Sequence, residues 1–175
     1  VMHCALDDLI PFCEWFLIPY LFWFVYLIGM HLYTLLYDVD SFTRMMKYIM
    51  LPSTLTILIY LIFPTCQQLR PVAFERDNFL TRFIAGFYQF DTNTGVCPSL
   101  HVAYSIGIAS AWLKEKSAAW YVKVLVTVFV IGVCLSVAFS KQHSVVDIFA
   151  ALPVCAVAEL FAFRKYYQAR KKVKL

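Results

Sequence analysis

His143 and Asp147 stand four residues apart in an otherwise apolar stretch, and His101 follows Pro98 and Ser99 earlier in the chain. On a helix, residues four apart share a face, so imidazole and carboxylate come within hydrogen-bonding reach. The carboxylate then holds the proton on one ring nitrogen, leaves the other free to attack, and stabilises the cation formed afterwards. Phosphoryl transfer needs little more than a nucleophile, a proton donor and charge stabilisation of the equatorial oxygens. The spacing therefore predicts His143 as nucleophile and Asp147 as its orienting carboxylate, with His101 as a further candidate catalytic residue at the same face. Arg70, Lys141 and Ser99 are the predicted phosphate-binding groups. Pro98 favours the first turn of a helix, where free N–H groups attract anions.

Other polar residues have plainer readings. His3 and His31 are read as bundle hydrogen-bonders, Arg76 and Arg82 as headgroup contacts, and Asp91 and Asn93, beside Gly95, as turn formers. Glu159 is expected to pair with a nearby cation, away from the site. The six cysteines contain no Cys-x-x-Cys pair or His/Cys ligand spacing, so neither a metal nor a cofactor is expected. Cys66 and Cys97 flank one long connection, where an oxidising compartment would allow a bridge.

The elements that must position these groups are apolar. The 175 residues are 62% hydrophobic and 15% charged, with a mean hydropathy of +0.70. A water-soluble domain needs about 25% charged residues, whereas lipid solvates apolar side chains directly. The expected fold class is all-α, a multi-pass transmembrane helical bundle forming one integral domain over residues 1–175. Five spans are expected, at 15–37, 48–63, 98–113, 120–139 and 145–163. The third covers only about 24 Å of a hydrocarbon layer about 30 Å thick, so one end should lie recessed. The chain opens on Val1 and an acidic stretch without Lys or Arg, read as the remainder after a lost upstream span, six in all.

Lys and Arg set the orientation. With the C-terminus cytoplasmic, eleven basic residues fall inside, namely Arg44, Lys47, Lys114, Lys116, Lys123 and six in the 164–175 tail. Four fall outside: Arg70, Arg76, Arg82 and Lys141. The tail then reads as a topology anchor that also touches anionic lipid. Phe79, Phe83 and Phe87 recur at helical spacing within 75–88, predicting an amphipathic interfacial helix or a segment packed over the bundle.

Cys97-Pro98-Ser99-Leu100-His101 together with Ser140-Lys141-Gln142-His143-Ser144-Val145-Val146-Asp147 resembles the second and third motifs of the type 2 phosphatidic acid phosphatase superfamily. Arg70-Pro71 resembles the end of its first motif. The resemblance implies a helical membrane bundle, a phosphohistidine formed on His143 and leaving-group protonation by His101. Phe63 stands where the first motif has Lys, and Val137 where the third has Arg, with Lys141 the nearest replacement. Leu100, in place of Gly, resembles the inositol phosphorylceramide synthase-like branch.

The expected function is metal-independent hydrolysis of a lipid phosphate or pyrophosphate at the outer leaflet of the plasma membrane. The alternative is transfer of a lipid headgroup phosphate to a hydroxyl acceptor. Two other classes are a bis-histidine haem electron carrier and a non-enzymatic membrane scaffold. The expected partners are the bilayer and its lipid substrate, with no nucleic acid. Neither the substrate lipid nor the oligomeric state is encoded legibly.

Overall fold

The computed structural model describes residues 1–173, the last five of them by backbone alone. Lys174, Leu175 and the side chains of Arg170, Lys171 and Lys172, which belong to the expected basic tail, lie outside the described residues. Among those residues the chain is all-helical and has no strand. A short α1 (Ala5–Leu9) and one 3-10 turn (Glu14–Phe16) lead into α2 (Leu17–Tyr37) and α3 (Val39–Ile62). A long connection carries α4 (Phe79–Phe90), and α5 (Leu100–Lys114), α6 (Trp120–Phe139), α7 (Val145–Ala162) and α8 (Arg164–Val173) follow.

Among the described residues, four segments rather than the expected five are long and apolar enough to cross a membrane, Glu14–Tyr37, Val39–Ile62, Trp120–Phe139 and Val145–Ala162. This is the expected multi-pass helical bundle. The remaining long apolar helix, α5, has 15 residues and reaches about 22 Å. It is surrounded by α2, α3, α6 and α7. Small residues explain that placement: Ala103, Ser105, Gly107, Ala109, Ser110 and Ala111 are buried along α5. In lipid, small residues let helix backbones approach closely, and dispersion contacts then hold them. At Gly107 a Cβ would meet the Tyr48 ring at 2.3 Å, so this crossing of α3 and α5 requires glycine.

One boundary differs from expectation. The second span begins at Val39 rather than residue 48, because the Asp38 side chain caps the helix by accepting from the Ser41 N–H at 3.0 Å. The charged residues Asp40, Arg44 and Lys47 then form its first turns instead of a loop. Helix α4 confirms the expected periodicity, shifted to Phe79–Phe90 by an Asn78–Thr81 capping pair. Ile84 packs inward, with Leu80, Phe87 and Tyr88 against the core, while Phe79, Phe83 and Phe90 remain exposed.

Candidate active site

At one end of the bundle, α5 and α7 begin and α6 ends, and the connection after α3 folds over them. That connection is pinned by an isolated antiparallel bridge between Cys66 and Thr94, and the Gly95 N–H donates to the Thr65 carbonyl at 2.7 Å. Gly95 has φ 65° and lies against the Tyr60 ring, a backbone region that favours glycine.

The turn from α6 to α7 is equally constrained. Lys141 takes φ 55°, and the N–H groups of Gln142 and His143 both donate to the Val137 carbonyl at 3.0 Å. Ser144 and Asp147 then cap α7: the Val146 N–H donates to Ser144 Oγ, and the Ser144 N–H donates to Asp147 Oδ2 at 3.0 Å. The same Oδ2 accepts from His143 Nδ1 at 3.3 Å. Asp147 is fully buried and His143 is 8% exposed. One carboxylate therefore starts the helix and orients the imidazole.

His143 Nε2 lies 3.2 Å from His101 Nδ1. With the Nδ1 proton of His143 directed at Asp147, Nε2 is the basic nitrogen and His101 Nδ1–H is the donor, a tautomer inferred from the bonding pattern. His101 is boxed by Tyr20 and Trp23, with ring centroids at 4.9 and 4.4 Å. Trp23 Nε1 donates to Ser105 Oγ, and Ser105 Oγ donates to the His101 carbonyl.

Both histidines line a cleft of about 160 Å³, bordered also by Gln142, Asp91, Tyr60 and Leu100. Arg70 braces its rim. The guanidinium lies 4.4 Å above the Tyr88 ring, donates to the Tyr88 carbonyl at 2.9 Å and donates to Gln142 Oε1 at 2.6 Å. Burial lowers its pKa, opposed by the Asp91 charge, yet a guanidinium stays charged.

Among the described residues, four buried polar atoms in this region have no hydrogen-bond partner: the donors Arg70 Nε, Gln142 Nε2 and Ser99 Oγ, and the acceptor Asp147 Oδ1. Buried donors without partners are uncommon and each costs free energy.

Lys141 is not brought to the cleft. Its ammonium donates to the Asp7 carbonyl at 2.7 Å, burial lowers its pKa against the opposing charges of Asp7 and Asp8, and its carbonyl accepts from Gln67 Nε2. Asp7 also accepts from Ser144 Oγ at 2.6 Å and from the Val145 N–H at 2.8 Å. Burial pushes the Asp7 carboxyl up, but these hydrogen bonds and one from the Cys4 N–H more than offset it and hold it below its ordinary range. Lys141 thus serves as a clasp between α1 and the turn that carries His143.

The other sequence readings resolve locally. Glu159 pairs with Lys114 at 2.5 Å, as expected. Arg82 is forked onto Asp77, and Arg76 reaches Glu14 at 3.4 Å. His31 bonds the Leu27 carbonyl, and His3 bonds Asp8. Asp91 does more than form a turn: it caps α4 and accepts from Tyr20 OH at 2.9 Å. Cys66 and Cys97 are both free thiols. Burial, and then the Asp147 charge beside it, push the Cys97 thiol up to about 12.

Gln142 and Asp7 were not anticipated from sequence. Gln142 adjoins His143 and so carried a positional signal, whereas Asp7, 137 residues before Ser144, carried none. No family model, curated protein or solved structure matches this chain.

Proposed function

We propose that this membrane protein cleaves a phosphate ester of a lipid through a phosphohistidine on His143, in the manner of the type 2 phosphatidic acid phosphatases its motifs resemble. The observation that carries this reading is the continuous relay from Asp147 Oδ2 through His143 to His101 Nδ1, at 3.3 and 3.2 Å. An isolated structural histidine needs no such pair of partners.

In the first step His143 Nε2 attacks phosphorus. The P–N bond forms as the P–O bond to the leaving group breaks, and His101, entering the step as an imidazolium, delivers one proton to the departing oxygen and becomes neutral. Asp147 stabilises the resulting imidazolium-like ring. In the second step water gives a proton to His101 and its oxygen attacks phosphorus, so the P–N bond breaks and inorganic phosphate leaves. Arg70, with Gln142 Nε2 and Ser99 Oγ, supplies donors for the equatorial oxygens. Gln142 takes the part that sequence assigned to Lys141.

The distribution of basic residues supports an extracytoplasmic site with the C-terminus in the cytoplasm, and the plasma membrane is the location proposed with it. The exposed Phe79, Phe83 and Phe90 row beside the site supports a substrate that arrives from the headgroup layer. Leu100 lines the cleft and favours transfer to a lipid hydroxyl as the second reading, because an apolar wall disfavours water.

Purified protein incubated with a panel of lipid phosphates, with and without hydroxyl acceptors, distinguishes the two by product mass. Phosphate release that persists fully in His143→Ala rules out the proposed chemistry.

A further inference from the structure

At the end of the bundle away from the histidines, α3 begins, α5 ends and α7 passes into α8. His101 and Lys114, at the two ends of α5, are about 20 Å apart along the helix. A cavity of about 740 Å³ lies at the Lys114 end, among the start of α3, the end of α5 and the α7–α8 junction. Six cations line it, Arg44, Lys47, Lys114, Lys116, Arg164 and Lys165, against two carboxylates, Asp40 and Glu115.

Two of the cations are engaged. Arg44 lies 3.8 Å from Glu115, and Lys114 pairs with Glu159 while its ammonium sits 4.4 Å above the Phe163 ring. Among the described residues, Lys47, Lys116, Arg164 and Lys165 pair with no carboxylate. Like charges gathered around one concavity repel one another and together attract a compact anion.

A second cavity of about 480 Å³ shares Lys114 as a wall. It runs along α5, α6 and α7 and is lined largely by apolar side chains, among them Ile106, Val130, Ile131 and Leu152. Ile131 and Leu152 are exposed, so this groove opens on the flank that faces lipid. A cationic cup that meets an apolar groove has the outline of an anionic amphiphile.

We propose that this end of the bundle is a binding site for an anionic membrane lipid, with its phosphate-bearing headgroup in the cup and one acyl chain in the groove. The site is separate from the histidine cleft, so it stands or falls independently of the reaction assigned there. Basic residues that only set topology snorkel to the membrane surface, and they need neither a concavity nor an adjoining apolar groove.

The test uses full-length protein in nanodiscs containing phosphatidylcholine and phosphatidylglycerol, with retained lipid identified by native mass spectrometry. The expected result is selective retention of phosphatidylglycerol. The exposed double variant Lys47→Gln/Arg164→Gln should weaken it about thirtyfold, at roughly one unit of surface attraction per cation. Lys123→Gln, a cation outside the cup, should leave retention unchanged, and Ile131→Trp should reduce it without altering charge. Soluble glycerol phosphate should not displace the lipid. Equal retention of both lipids, an equal loss in Lys123→Gln, or displacement by glycerol phosphate alone would overturn the proposal.

Discussion

Asp147 is a carboxylate with no exposure to solvent in a chain built for lipid, a costly position unless the charge is used. Its Oδ2 serves both the α7 cap and the His143 imidazole. The two roles separate by substitution. Asp147→Asn keeps an acceptor for the cap but loses the charge that stabilises the imidazolium, so turnover should fall roughly a thousandfold or more while the melting temperature stays close to that of the parent. Asp147→Ala should lose both.

Gln142 belongs to the same scale. Its carbonyl positions Arg70, and its buried amide nitrogen is free to donate, so Gln142→Ala should lower kcat/KM by roughly ten- to a hundredfold, the worth of one or two charge-assisted hydrogen bonds. The juxtaposition of His143 and Asp147 was legible because spacing and residue type carry that information, and His101 meets them as expected. The direction of Lys141 was not, because its partner is a backbone carbonyl far away in sequence.

Among the elements, the short helix α5 decides where His101 sits. Its length and its row of small residues were both readable in the sequence. Its central position depends on contacts with four other helices that no local pattern encodes. Gly107→Ala tests that packing. The added methyl group would push against the fully buried Tyr48 ring and should destabilise the fold by about 1–3 kcal/mol, read as a lower thermal midpoint.

The clasp from α1 gives a pH dependence at the same scale. Asp7 has a folded pKa below its ordinary value of 3.8, so it contributes stability above that value and loses it as pH falls through the depressed value. Thermal stability should therefore fall on acidification below about pH 4 in the parent, and fall less steeply in Asp7→Asn, which lacks the titrating group. An identical pH profile in both proteins would remove the Asp7 carboxylate, with its bonds to Ser144 and Val145, from that clasp.

For the whole molecule, hydropathy and charge were enough to read a multi-pass helical bundle, since lipid leaves few alternatives. Span boundaries were less legible. A cap at Asp38 extended one helix through charged residues that hydropathy had excluded. The polarity of the bundle, with histidines at one end and a cluster of cations at the other, links the two halves of the account. A cysteine introduced at residue 92, in the connection over the cleft, should react with an impermeant thiol reagent only from outside. A chelator should leave phosphate release unchanged, because every proposed catalytic group is a side chain of the protein.

The central claim is the covalent intermediate. Brief incubation with an isotopically labelled lipid phosphate, an alkaline quench that preserves N-phosphoryl groups, and peptide mapping should find the label on His143, with none in His143→Ala. Full turnover with no label on His143, or with label on another residue, would contradict the account.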